Sequence, residues 1–456
     1  MLGRHDPFTA CGRRAVTERP ELRNVIENPT PTSRPVFRMH SAAALPGRPC
    51  PTDEWPAATR RIPTGASMGA STRSGHTVSR SPRTVIAASA SRLPRVTIVA
   101  LVLAVATLAA TYPAAALTPH STSGAPRLSL AKQVGQLIIA TYRGQKPPAS
   151  LLTAIRLGHV GAVILMGDNT TNGIRAAKLA TAQMQTAARK GGNAGLLIMT
   201  DQEGGTVKRL SGPPDYAAIN MANPATAYAQ GRATGGLLRS AGVNVDLAPV
   251  ADVIRVHGFI EQEGRSFGAN PAVVSKAACK FAAGLAGAGV AYTLKHFPGL
   301  GDAVSTTDLR AVSVTESAAN LYEDDAAYRR CGHGPLALVM ISSASYTHMT
   351  GSVPAVLDPK IYSQVLPGDG VTALPISDDF ESRAINAVST QGPAKTAINA
   401  GLDMVMYADY ESVALNAYTT LLADARDGAL SRIRVQAAAS RVLQLKNHLG
   451  LSIGNG

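Results

Sequence analysis

From residue 118 onward, eight short apolar runs recur along the chain, bounded by Gly, Pro or polar residues and separated by longer amphipathic or Ala-rich stretches. They are Gln136–Ala140, Val160–Met166, Leu196–Thr200, Val243–Pro249, Val290–Leu294, Ala337–Ile341, Val371–Ile376 and Asp403–Tyr407. Runs this short are strands rather than helices, and continuous apolarity means that both faces are covered, as in a parallel sheet flanked by helices. Between them, Gly173–Lys190 and Pro271–Gly287 are rich in Ala, Lys and Gln and read as helices. Eight strand-plus-helix units in 339 residues predict an α/β fold of the TIM-type (β/α)8 barrel class, forming a single catalytic domain. A doubly wound open sheet is the competing arrangement.

A barrel builds its functional site from residues at the C-terminal ends of its strands. The polar clusters fall there. Leu196–Thr200 leads into Asp201-Gln202-Glu203-Gly204-Gly205, and Val290–Leu294 into Lys295-His296-Phe297-Pro298-Gly299. Val371–Ile376 leads into Ser377-Asp378-Asp379, and Val243–Pro249 into Asp252, with Arg265-Ser266-Phe267-Gly268 in the same connection. Closing the sheet brings these groups into one polar pocket. Asp201, Arg209, Lys295, His296 and Arg265 are the types that make charge-assisted hydrogen bonds to sugar hydroxyls. Taken singly, an Asp or Arg at a strand end is as readily a cap or a surface pair. The Lys295-His296 pair after an apolar strand is more telling, because Lys is rarely buried unless paired. Neighbouring residues on a strand point to opposite sides, so one of Asp378 and Asp379 can face the barrel mouth while the other braces its loop. Retaining glycoside hydrolysis needs one such carboxylate as nucleophile and a second acid/base group about 5 to 5.5 Å away. Among the 20 aromatic residues the single Trp, Trp55, precedes the barrel, which favours a small pocket for one terminal sugar.

The formal charge of +14 first suggests an anionic partner such as nucleic acid, but most of it lies outside the barrel region. Residues 1–117 hold 15 Arg, no Lys and 6 acidic residues, so they carry nine of the surplus positive charges and leave five to the rest. Stretches such as Arg80-Ser81-Pro82-Arg83 lack helical or strand periodicity, so residues 1–95 are expected to form a disordered leader and no nucleic acid partner is expected. Arg92 and Arg95 precede an apolar run from Val96 to Ala110 and a small-residue end at Ala114-Ala115-Ala116. That is the build of an export signal, too short for a stable span of ~20 residues. Residues 96–117 are therefore expected to be a signal peptide, or an uncleaved N-terminal anchor and the sole membrane contact. Residues 118–456 would be the secreted or cell-surface domain. The signal begins some 90 residues in, and Met68 is a candidate true start that would make 1–67 a mis-assigned extension. Cys11 and Cys50 lie in the leader; Cys279 and Cys331 lack the clustering of a zinc site and either pair in an oxidising compartment or remain buried thiols.

Taken together, the motifs between about Leu128 and Leu451 resemble glycoside hydrolase family 3, in particular the single-domain bacterial β-N-acetylglucosaminidases. The segments that carry the resemblance include Val134-Gly135-Gln136-Leu137-Ile138, Asp201-Gln202-Glu203-Gly204-Gly205, Asp246-Leu247-Ala248-Pro249-Val250-Ala251-Asp252, Arg265-Ser266-Phe267-Gly268, Lys295-His296-Phe297-Pro298-Gly299, Ser377-Asp378-Asp379 and Ala400-Gly401-Leu402-Asp403-Met404. The resemblance implies a retaining, two-step reaction without metal or organic cofactor, with Asp378 as nucleophile. It also implies that Asp201, Arg209, Arg265, Lys295 and His296 hold the terminal sugar. One departure matters. Members of this branch usually carry His at the position of Leu300 and an Asp-Ser-His segment shortly after, whose His is the acid/base. Here the loop reads Leu300-Gly301-Asp302-Ala303-Val304-Ser305-Thr306-Thr307-Asp308-Leu309-Arg310, with no His. Either Asp308, the first candidate, or Asp302 transfers the proton itself, with a pKa raised by burial, or a residue from elsewhere does, or catalysis is impaired. The expectation is an exported, monomeric, exo-acting β-N-acetylhexosaminidase acting on peptidoglycan-derived or related glycans. A β-glucosidase or β-xylosidase of the same family and a non-catalytic wall-glycan binding protein are the alternatives.

Overall fold

The computed structural model describes residues 128–388 and 392–452. The expected leader and expected export signal, with Met68, Cys11, Cys50 and Trp55, lie outside the described residues.

Eight parallel strands close into a barrel: β1 (Ile138–Ala140), β2 (Ala162–Leu165), β3 (Leu197–Thr200), β4 (Val245–Asp246), β5 (Ala291–Phe297), β6 (Ala337–Ile341), β7 (Leu374–Asp379) and β8 (Met404–Met406). Each pairs with its sequence neighbours, and β1 meets β8 through Ile138↔Val405 and Ile139↔Met406. Every apolar run of the sequence supplies one strand, so the closed barrel, and not the open sheet, is the fold. Two strands run further than their apolar stretches. Lys295, His296 and Phe297 belong to β5 because Val250 and Ile341 on either side continue the ladder. Ser377, Asp378 and Asp379 belong to β7. Conversely the Val243–Pro249 run yields only Val245–Asp246 as strand, and Pro249 has no N–H to extend it.

Alternation along the strands sorts the core into two layers. Ile139, Ile164, Met199, Leu338, Met340, Ile376 and Met406 belong to one buried cluster that fills the barrel. Ile138, Val163, Leu165, Ile198, Val339 and Val405 belong to the cluster shared with the surrounding helices. Those helices include α1 (Leu130–Gln136), α2 (Ala149–Leu157), α3 (Gly173–Lys190), α4 (Pro224–Ser240), α5 (Pro271–Gly287), α6 (Ala326–Cys331), α7 (Pro393–Ala400), α8 (Glu411–Asp427) and α9 (Arg432–His448). Asn223 and Asn270 cap α4 and α5 by accepting N–H bonds from the first turn, each followed by Pro at the first helical position. Helix α9 closes the N-terminal end of the barrel: its Val442 and Leu445 join the interior cluster, and Asp403, just before β8, pairs with Arg434 and with Arg441 at 2.7 Å. Cys279 in α5 and Cys331 at the end of α6 form a disulfide. Among the described residues no helix is long and apolar enough to cross a membrane.

Candidate active site

The strands deliver their polar ends to one cavity of about 410 Å³ at the C-terminal mouth of the barrel. All seven residues singled out in the sequence line it: Asp201, Arg209, Arg265, Lys295, His296, Asp308 and Asp378. Its apolar floor is the top of the barrel interior, formed by Ile164, Met340 and Met406 near the ends of their strands and by Met166 just past the end of β2.

One wall is a charge network. Lys295, on β5 and almost wholly buried, places Nζ 2.7 Å from Asp201 Oδ1 and 2.7 Å from Glu203 Oε1. Arg265 grips Glu203 with two parallel bonds, Nε to Oε2 and Nη2 to Oε1, each 2.8 Å. Arg209 approaches Asp201 at 3.7 Å. Burial alone would push the Glu203 carboxyl up, but the Lys295 ammonium and the Arg265 guanidinium outweigh it and hold Glu203 at about 2. Glu203 is therefore the fixed anion that orients both cations. In the sequence Glu203 stands within its motif with no role of its own; the signal that identifies it is the presence of two cations, Lys295 and Arg265, that cannot be buried without a partner. Beneath this wall Asp246 accepts an N–H bond from Gln202 at 3.0 Å, and burial raises its carboxyl to about 8.

His296 is held from behind by Asp252, which is fully buried. Asp252 Oδ2 lies 2.8 Å from His296 Nδ1, and its Oδ1 accepts the backbone N–H groups of His296 at 3.0 Å and of Leu300 at 2.8 Å. This carboxylate fixes Nδ1 as the protonated nitrogen and turns Nε2 toward the cavity.

The opposite wall carries the carboxylates. Asp378, at the end of β7, accepts the Asp379 N–H at 2.9 Å on Oδ1 and the Thr307 hydroxyl at 3.4 Å on Oδ2. Asp379 braces the loop by accepting the N–H groups of Glu381 and Ala408 at 3.0 and 3.1 Å, and burial pushes it up to about 7. Thr307 and Asp308 sit on the loop after β5, and that loop is folded onto the site. Arg383 N–H donates to the Asp308 carbonyl and Ala384 N–H to the Thr307 carbonyl, both at 3.1 Å. At its start, Gly301 packs so closely that a Cβ would stand 1.7 Å from the Val253 carbonyl oxygen. Asp308 is open to solvent at the rim. Partial burial of its carboxyl, then the adjacent Asp378, raise its pKa above the ordinary value. Asp302 faces away from the cavity, accepting from the Thr315 hydroxyl at 3.2 Å.

The family model for the glycosyl hydrolase family 3 N-terminal domain matches residues 129–445. The chain belongs to glycoside hydrolase family 3. Membership makes it a glycoside hydrolase, and the matched region spans the whole barrel together with most of α9. A protein of Arthroderma benhamiae described as a secreted glycosyl hydrolase is 30% identical over 333 residues, covering 71% of this chain and 94% of its own length. The β-hexosaminidase LpqI of Mycobacterium tuberculosis is 29% identical over 301 residues, 63% of this chain and 75% of that protein. The crystal structure of a β-N-acetylhexosaminidase from Beutenbergia cavernae superposes with a TM-score of 0.65 at 31% identity, covering 70% of this chain and 99% of the other.

Proposed function

We propose that the protein is an exo-acting, retaining β-N-acetylhexosaminidase that removes terminal N-acetylglucosamine from peptidoglycan-derived or related glycans. The observation that carries this reading is the pairing of Asp378 with Asp308, two carboxyls facing one small polar cavity, one from the end of β7 and the other from the loop after β5, with Thr307 donating to Asp378. The group with the raised pKa, Asp308, is the acid, and Asp378 is the nucleophile. In the first step the Asp378 carboxylate attacks the anomeric carbon while the Asp308 carboxyl gives its proton to the departing glycosidic oxygen. In the second, Asp308, now a carboxylate, takes a proton from the water that displaces Asp378. Asp201, Arg209, Arg265, Lys295 and His296 bind the hydroxyls of the terminal sugar, and the reaction needs no metal or organic cofactor. The family resemblance to β-N-acetylglucosaminidases and the names of the relatives support the N-acetylglucosamine specificity.

We further read residues 118–456 as an exported, monomeric catalytic domain; the Cys279–Cys331 disulfide suits an oxidising compartment.

The test compares nitrophenyl β-N-acetylglucosaminide with the corresponding glucoside. The N-acetylglucosaminide is expected to be the better substrate, and Asp378→Asn to lower its turnover by about a thousandfold or more. Asp308→Asn should cost about 10² to 10⁴ on natural linkages, and much less where the leaving group needs no proton. Because the acid must be protonated, kcat/KM on poor leaving groups should fall as pH rises through the raised Asp308 value. A preference for the glucoside, or full activity in Asp378→Asn, overturns the reading.

A further inference from the structure

A charged and aromatic corner stands at the rim of the cavity. Asp409, which lines the cavity, accepts a bond from Arg143 Nη2 at 3.1 Å, and the Arg143 guanidinium lies over the Tyr410 ring, 5.1 Å from its centroid. Tyr410 is 56% exposed although Arg143 covers one face, so the other face is open. What sets this ring apart from other exposed tyrosines such as Tyr322 is its neighbour in sequence, Asp409, which lines the cavity.

This corner is unusually well fixed for an exposed turn. Three consecutive backbone N–H groups end on the two carboxylates that follow Asp378: Ala408 donates to Asp379 Oδ1 at 3.1 Å, and Asp409 and Tyr410 donate to Glu381 Oε2 at 2.7 and 3.1 Å. The turn that carries Tyr410 is thereby locked in register with the nucleophile strand. Arg143 is held from its own side, because the buried Asn169 amide donates to the carbonyls of Tyr142 at 2.9 Å and Gly144 at 2.6 Å. Both halves of the stack are preorganised, which lowers the entropy lost on binding.

We propose that Tyr410, backed by Arg143, is a stacking platform for the second pyranose ring, the sugar on the leaving-group side of the scissile bond. The ring would lay its C–H face on the tyrosine, with the Asp409 carboxylate and the remaining Arg143 N–H groups meeting its hydroxyls. The protein would then select its leaving group as well as the terminal sugar. This rests on the reading of the cavity as the terminal-sugar site.

The test is a ratio, kcat/KM on N,N′-diacetylchitobiose over kcat/KM on β-N-acetylglucosaminyl fluoride, whose leaving group has no ring to stack. The ratio cancels differences in the amount of folded enzyme. It is expected to fall about tenfold in Tyr410→Ala, to stay near the wild-type value in Tyr410→Phe, and to fall about threefold in Arg143→Ala. A ratio in Tyr410→Ala within about twofold of wild type overturns the platform. So does a Tyr410→Phe ratio as low as that of the alanine variant, or a wild-type enzyme that cleaves the fluoride and leaves the disaccharide intact. Failure of the wild type to cleave the fluoride sinks the reading of the cavity itself, and the platform with it.

Discussion

Asp252 never reaches the cavity, yet it decides what His296 can offer there. One oxygen holds Nδ1 and the other holds the backbone at His296 and Leu300, where the Asp308 loop begins. Asp252→Asn keeps the shape but can present an N–H toward Nδ1, which favours the opposite tautomer of His296 and leaves a buried donor or acceptor unmatched, at about 1–3 kcal/mol. Turnover is expected to fall by one to two orders of magnitude, with KM rising and the pH profile changing shape, since both the proposed sugar contact of His296 and the loop that carries the proposed acid depend on this carboxylate. Steady-state kinetics across pH check it; an unchanged profile with loss of stability alone would reduce Asp252 to a packing role. The seven cavity residues were legible in sequence because each lies at a strand end or in the connection that follows it. Glu203 and Asp252 acquired roles only from the fold, because what defines them is the cation or imidazole they face, contributed from about 44 to 92 residues away.

At the scale of elements, the excursion from α5 through β5 to α6 is the part on which the chemistry depends most. It contains Lys295, His296 and the Asp308 loop, and the Cys279–Cys331 disulfide ties its two ends across 52 residues. A loop of that size corresponds to about 4 kcal/mol on the chain-entropy scale, with typical measured values of about 2–4. The double variant Cys279→Ser, Cys331→Ser should therefore melt lower by several degrees while keeping most of its activity at 25 °C, because the loop is held locally by Arg383, Ala384 and Gly301. Thermal denaturation with a parallel aryl-glycoside assay decides this, and an unchanged melting temperature would remove the staple from the account. The pairing of these cysteines was an open alternative in sequence, since distance along the chain says nothing about two helices that lie side by side. The placement of the loop was equally hidden: no periodicity encodes that Thr307 and Asp308 dock by their carbonyls on the turn after β7.

For the molecule as a whole, the barrel was readable because eight buried strands leave eight apolar runs, while the seal at its base was not. Only closure shows that α9 plugs the end of the barrel opposite the cavity, with Val442 and Leu445 inserted into the interior. The plug also carries a charge problem. Lys446 is completely buried, its Nζ donates to Gln136 Oε1 at 2.6 Å, and no carboxylate pairs with it among the described residues, so burial lowers its pKa to about 7. An unfolded Lys keeps its proton up to about 10.4, so between about 7 and 10 the unfolded chain binds the extra proton. Stability contributed by this site therefore rises with pH across that window and is constant below it, where both states are charged and the burial penalty is complete. Lys446→Met removes the titration and leaves Gln136 one donor short, at about 1–3 kcal/mol. The expected outcome is a difference in unfolding free energy between variant and wild type that is flat below about pH 7 and moves steadily in favour of the wild type toward pH 10. Urea denaturation at a series of pH values measures it, and a difference independent of pH would mean that Lys446 keeps its proton in the folded state.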